Sequence, residues 1–233
     1  MKKSSIILIL LFFLSSVSKA QEIKNIFSKT IKNKIEMGYV LDLPQNQKEK
    51  FPLIVFLHGS GERGTDLELV KAHSPFTYKN LFSSQPVAIL APQCTENIWW
   101  DTNAVFELIQ EIVSKYNIDT SRIYLTGLSM GGWGSWKLAL EHPDMFAALA
   151  PVCGPTDRMM IFLAEKLKGM PIKIFHGALD DIVPPTDSIE MYQALKKNNS
   201  NVELIIFPND NHNSWDSTYS NPDFYNWLFN QHK

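Results

Sequence analysis

The segment Gly127-Leu128-Ser129-Met130-Gly131 sets a serine between two glycines. An apolar run, Ile123 to Thr126, leads into it, and a helix-compatible run, Trp133 to Leu140, leads out. That is the pattern of a strand, a sharp turn and a helix with a serine at the apex. Small neighbours let strand and helix close around such an apex, and the serine backbone there is strained. The hydroxyl is then held out at the mouth of a sheet. The N–H that follows, here of Met130, points to where an oxyanion would form. The helix N-terminus adds a positive end. Gly-x-Ser-x-Gly also occurs by chance in surface turns, so the reading depends on the strand before and the helix after.

A serine hydroxyl is a weak nucleophile near neutral pH. It needs a histidine base, and the histidine needs an acid to fix its tautomer. On a sheet of this kind the chain order is Ser, then Asp or Glu, then His. The apolar run Ile172 to Phe175 reads as a buried strand and ends in His176-Gly177-Ala178-Leu179-Asp180-Asp181. Asp180 falls just past the strand end, where open α/β sheets place catalytic groups. Asp181 is the alternative acid, and both can also serve as caps for the helix that follows Pro185. The next run, Val202 to Phe207, ends at Pro208 and leads into Asn209-Asp210-Asn211-His212-Asn213-Ser214-Trp215. His212 thus lies on a polar loop past a strand end, the place for a mobile base. Its position carries weight only jointly with Ser129 and Asp180.

An oxyanion site needs a second backbone donor. The apolar strand Leu53 to Leu57 is followed by His58-Gly59-Ser60-Gly61-Glu62-Arg63-Gly64. Glycines there let backbone N–H groups approach a substrate closely. Ser60 is the expected donor, with Gly61 next. His58 reads as a structural residue at the strand end, and Glu62 with Arg63 as an ion pair that stiffens the loop.

Together these four segments resemble the α/β-hydrolase superfamily. More narrowly, they resemble the small secreted esterases related to phospholipase/carboxylesterases, dienelactone hydrolase and feruloyl or acetyl-xylan esterases. They are also similar to the catalytic domain of prolyl oligopeptidases. The resemblance runs from Lys34 to Gln231 and is specific for fold and triad, not for substrate. It implies Ser129 as nucleophile, Asp180 as acid and His212 as base, with the N–H groups of Ser60 and Met130 holding the oxyanion. It implies no metal and no organic cofactor.

The elements that must position these groups alternate along the chain. Strands are expected near Tyr39–Leu43, Leu53–His58, Val87–Ala91, Arg122–Thr126, Phe146–Pro151, Ile172–His176 and Val202–Phe207. The central ones are continuous apolar runs, as when helices cover both faces. Asn103–Tyr116 shows Val105, Leu108, Ile109, Ile112 and Val113 at helical spacing, and Asp223–Gln231 shows Phe224, Trp227 and Leu228 likewise. The expectation is an α/β fold: a doubly wound, mainly parallel sheet with helices on both faces. The gap between the fifth and sixth strands holds about one helix, roughly Thr156 to Leu167, so no large lid fits there. The site is expected to be open, with Trp99, Trp100 and Trp215 on its side as candidates to line an acyl pocket or stack on sugar rings. Trp133 and Trp136 are expected in the core.

The chain has 233 residues, 45% hydrophobic and 20% charged, with a formal net charge of −2. This is a globular composition large enough for one well-filled domain, residues 34–233. Neither sign of charge dominates, which speaks against a nucleic-acid or anionic-membrane surface. Met1-Lys2-Lys3, an apolar run Ile6 to Leu14 and Ser18-Lys19-Ala20 read as a signal peptide, residues 1–20, with cleavage after Ala20. The apolar run is short of the ~20 residues that span a bilayer. Gln21 in place of cysteine speaks against a lipid anchor. Residues 21–33 read as a linker or edge segment. The two cysteines, Cys94 and Cys153, lie past strands that are not neighbours in the usual order of this fold, which speaks against a disulfide without excluding it.

The expected function is an exported, periplasmic or secreted serine carboxylester hydrolase. Its substrate is a small-molecule or polysaccharide ester, such as an acetyl or feruloyl group on carbohydrate. The alternatives are a peptidase of the prolyl oligopeptidase type, a lysophospholipase or thioesterase, and a non-catalytic carbohydrate-binding module. Neither nucleic acid nor a stable membrane anchor is expected.

Overall fold

The computed structural model describes residues 34–197 and 201–233, together with 25, 26, 28 and 29. The expected signal peptide and most of the segment 21–33 lie outside the described residues. The compact unit that carries the motifs runs from Ile35 to Lys233.

Among the described residues seven strands form one sheet: β1 (Tyr39–Asp42), β2 (Phe51–Leu57), β3 (Ala88–Pro92), β4 (Ile118–Leu128), β5 (Ala148–Val152), β6 (Ile172–Gly177) and β7 (Val202–Phe207). Their order is β1-β3-β2-β4-β5-β6-β7. Only β1 runs antiparallel, against β3; the other neighbours are parallel. The helices are α1 (Thr102–Lys115), α2 (Met130–Glu141), α3 (Arg158–Phe162), α4 (Pro185–Lys197), α5 (Trp215–Tyr219) and α6 (Pro222–Phe229).

Alternation along each strand sends side chains to two separate cores. On one face Leu53, Val55 and Leu57 pack with Val105 and Ile109 of α1, Trp136 of α2 and Met191 of α4. On the other, Ile54 and Phe56 pack with Tyr219 of α5 and with Phe224 and Leu228 of α6. Every residue of β2 is buried, as a strand covered on both sides requires. The sheet is thus doubly wound, as the strand–helix alternation predicts.

Most element ends fall within two residues of expectation, and three elements differ by more. β4 begins at Ile118, four residues early, because Phe51 pairs with Ile118 across a bulge in the β2–β4 register. The polar stretch there satisfies itself, Arg122 Nε donating to Asp119 at 2.7 Å. The expected helix Thr156–Leu167 is split into α3 and a 3₁₀ turn, Ala164–Leu167. Thr156 is tied instead to Asp187 of α4, and Asp157 caps α3 by accepting from Met160 N–H. α5 was not anticipated, since five residues are too few to show a period. It is anchored by Tyr219, whose hydroxyl bonds Thr126 of β4 at 2.9 Å.

Backbones crowd together where β4 turns into α2. A Cβ on Gly131 would stand 1.9 Å from the Leu57 carbonyl oxygen, and one on Gly127 would stand 2.4 Å from the Gly131 carbonyl oxygen. Both obstacles are backbone atoms that cannot swing aside. Gly61 has nothing within 4 Å of such a Cβ. Gly131→Ala is therefore expected to lower unfolding stability by about 3 kcal/mol or more, as a severe core overpacking, and Gly61→Ala by less than about 1 kcal/mol. Urea denaturation of the two variants checks this, and equal losses would contradict it.

Candidate active site

Ser129 sits between β4 and α2 with φ 52° and ψ −119°, a backbone conformation that non-glycine residues rarely adopt. Its N–H donates to Val152 O at 2.9 Å, and its carbonyl accepts from Trp133 N–H at 3.1 Å, starting α2. The strained turn lifts the hydroxyl off the end of the sheet. His212 Nε2 lies 2.9 Å from Ser129 Oγ, and His212 Nδ1 lies 2.8 Å from Asp180 Oδ2. A carboxylate only accepts, so Nδ1 carries the hydrogen and Nε2 is free to accept from the serine hydroxyl. The His212 side chain is 19% exposed and that of Asp180 is fully buried.

Asp180 Oδ1 accepts from the N–H groups of Ile182 and Val183, at 3.0 and 2.9 Å. These two bonds hold its other oxygen toward His212. Asp181 points to solvent. The carboxylate that meets His212 is therefore Asp180; neither residue is placed simply as a helix cap. His212 is backed by Trp215, edge-to-face at 5.4 Å between ring centroids, and Trp215 in turn meets His73 at 5.5 Å.

The loop after β2 reaches the same place. A Cβ on Gly59 would lie 3.7 Å from Ser129 Cβ, so Ser60 and Gly61 begin a 3₁₀ turn beside the serine, both exposed. Met130 N–H belongs to the first turn of α2, where helical N–H groups have no intrahelical partner. Beneath the loop lies His58, fully buried. Its Nε2 accepts from Cys94 N–H at 2.9 Å and its Nδ1–H donates to Gly59 O at 2.6 Å. Burial lowers its pKa from 6.5 to about 4, so it is a neutral strut. The expected Glu62–Arg63 pair does not form. Arg63 Nε instead donates to Ser60 O at 2.9 Å and its Nη1 reaches Ile98 O at 3.4 Å. Glu62 turns inward, where burial raises its carboxyl pKa; its Oε2 stands 3.9 Å from His58 Nδ1.

The tryptophans separate. Trp100, expected at the site, is 3% exposed: its indole N–H donates to His58 O at 3.2 Å and its ring packs on His58. It is a core residue that supports the loop from below. Trp99 is 53% exposed and stands edge-to-face on Trp133 at 5.0 Å. Trp133, expected in the core, is only half-buried and lines a groove of about 190 Å³ with Met159, Met160 and Leu163. Trp136 is fully buried. His73, which meets Trp215, carried no spacing signal that could have placed it there.

Cys94 and Cys153 are free and buried. Cys153 presents its sulfur within 4.8 Å of donor atoms of Asp180 and His212. Burial pushes its thiol up to about 12, so it keeps its proton at neutral pH and is a poor metal ligand.

His58 has a consequence for stability. An unfolded chain takes up a proton on this ring near pH 6.5, the folded one only near 4. Between those values the unfolded state binds more protons, so stability falls as pH drops through the window. The loss from this group is on the order of 3 kcal/mol by pH 4. Urea unfolding at several pH values is expected to show this slope in the parent chain and a shallower one in His58→Gln. Equal slopes would contradict the assignment.

Comparison with known proteins places these observations. Residues 88–221 match the dienelactone hydrolase family. The bifunctional acetylxylan esterase/xylanase of Neocallimastix patriciarum is 31% identical over 169 residues, covering 66% of this chain and 24% of that protein. Feruloyl esterase B of Talaromyces stipitatus is 29% identical over 122 residues, covering 48% of this chain and 34% of that protein. A crystal structure of a thermostable esterase superposes with a TM-score of 0.79 at 35% identity, covering 85% of this chain and 60% of that one. The chain spans less than two thirds of the length of each of these relatives. With its α/β-hydrolase sheet and a family match over more than half of its residues, the chain belongs to the dienelactone hydrolase family.

Proposed function

We propose that this chain is a serine carboxylester hydrolase in which Ser129 is the nucleophile, His212 the base and Asp180 the acid. The observation that carries the reading is the unbroken series Ser129 Oγ, His212 Nε2 and Nδ1, Asp180 Oδ2, with links of 2.9 and 2.8 Å and the serine in a strained turn. His212 takes the hydroxyl proton as Ser129 attacks the ester carbonyl. Asp180 holds the imidazole in the required tautomer and balances the cation that forms. The N–H groups of Met130 and Ser60 face the developing oxyanion, aided by the positive end of α2. His212 then protonates the leaving alcohol, and water releases the acid by the same steps in reverse order.

For the substrate we favour an acetyl or feruloyl ester carried on a carbohydrate. The acetylxylan and feruloyl esterase relatives support this, as does exposed Trp99, whose ring can stack on a sugar. Only α3 and a 3₁₀ turn lie between β5 and β6, which suits a bulky or polymeric substrate. The basic and apolar opening of the sequence supports export. No helix among the described residues is long and apolar enough to cross a membrane.

Hydrolysis of a panel tests the reading: p-nitrophenyl acetate and decanoate, methyl ferulate, acetylated xylan and an aminoacyl anilide. Acetyl and feruloyl esters are expected to be cleaved; a preference for decanoate or the anilide would move the reading to lipids or peptides. Ser129→Ala is expected to lose ~10⁴-fold or more of the turnover while remaining folded. Asp180→Asn is expected to lose a comparable factor and Asp181→Asn almost nothing; the opposite order would overturn the choice of acid.

A further inference from the structure

The proposed acid is held by a second histidine. His176, the penultimate residue of β6, is fully buried and plays no part in the steps above. Its Nε2 lies 2.9 Å from Val183 O and 3.1 Å from Asp180 Oδ2, the oxygen that also meets His212. A carbonyl only accepts, so Nε2 carries the hydrogen. Nδ1 is then the acceptor, and Ser188 Oγ, 2.7 Å away and buried in the first turn of α4, donates to it. The tautomer of His176 is thereby set by its two neighbours.

We propose that His176 is a positioning residue for Asp180, a reading that rests on the triad proposed above. It acts by two routes. Its N–H holds the Val183 carbonyl, while the N–H of the same residue holds Asp180 Oδ1; the turn Asp180–Val183 is thus pinned from both sides. Its positive ring edge also stands against Oδ2, so the carboxylate is surrounded by two backbone N–H groups and two imidazoles and has no open direction in which to rotate. A carboxylate that cannot turn keeps His212 aimed at Ser129 without reorganisation during the reaction. Ser188 extends the arrangement into α4. The residue before it, Asp187, accepts from Thr156 N–H at 3.0 Å on the loop that follows β5. The linked series Ser129, His212, Asp180, His176, Ser188, buried from Asp180 onward, therefore crosses from the turn after β4 to the helix after β6.

Three variants test this in the full chain: His176→Phe, which keeps ring volume and loses both nitrogens; His176→Gln, which retains a donor; and Ser188→Ala. Turnover of p-nitrophenyl acetate and the low-field proton resonance of His212 Nδ1–H are read together with thermal unfolding. His176→Phe is expected to lower kcat roughly 10- to 100-fold, the effect of losing a hydrogen bond near a charged group, at an unchanged KM. It is also expected to displace the resonance. His176→Gln is expected to recover most of the kcat and the parent resonance. If His176→Phe does not fold, Ser188→Ala decides, with an expected loss of roughly three- to tenfold and a smaller displacement. A folded His176→Phe with parent kcat and resonance overturns the proposal. So do Phe and Gln variants that lose stability alike and leave the resonance in place. Absence of turnover in the parent chain would count against the triad reading instead, and the resonance in the variants would still decide whether His176 holds the pair.

Discussion

The architecture depends on one steric constraint, the meeting of three backbones where β2 ends, β4 turns and α2 begins. The Leu57 carbonyl and the Gly131 backbone approach so closely that no side-chain carbon fits between them. That contact sets how near the helix N-terminus comes to the sheet edge, and with it where Met130 N–H points. It also forces Ser129 into a conformation that costs of order 1–3 kcal/mol and that only a well-packed surround can hold. The surround is present on both faces: buried β2 beside β4, and two apolar cores that clamp the sheet.

Around that point the fold uses buried polar residues as fixed struts rather than as reactive groups. His58 is kept neutral by burial and spans Gly59 O and Cys94 N–H, joining the loop after β2 to the segment after β3. Arg63 fastens the same loop to Ile98 from outside. Tyr219, bonded to Thr126, ties the segment just after His212 back to the centre of the sheet. Each strut lets a surface loop carry a precisely placed group, because a loop has little packing of its own to resist displacement. Histidine in this molecule thus takes two opposite parts. His58 and His176 are enclosed, whereas His212, also bonded on both nitrogens, keeps one face toward solvent and its Nε2 toward Ser129.

Much of this was legible in the residues alone. Continuous apolar runs located the central strands, because strands covered on both faces have no polar alternation to confuse the reading, and shorter apolar stretches marked the edge strands β1 and β7. Glycine–serine–glycine between a strand and a helix marked Ser129, and strand ends followed by polar loops marked Asp180 and His212. Short elements were not legible: α5 and the split at α3 span too few residues for a period, and the early start of β4 depends on pairing with Phe51 across a bulge.

The linear pattern by itself determined the strand–helix alternation, the elbow around Ser129 and the chain order of Ser129, Asp180 and His212, since each is written in neighbouring residues. The tertiary structure alone decided which of two adjacent aspartates meets His212, because backbone N–H groups two and three residues on turn Asp180 inward and leave Asp181 in solvent. It decided that Trp100 is buried under the loop, where its indole N–H reaches His58 O and its ring packs on His58, while Trp99 is exposed. It also decided that His176 stands against Asp180 Oδ2. The two residues are only four apart, but the contact depends on how the turn after β6 folds back and on Ser188 of α4, which sets the tautomer of His176.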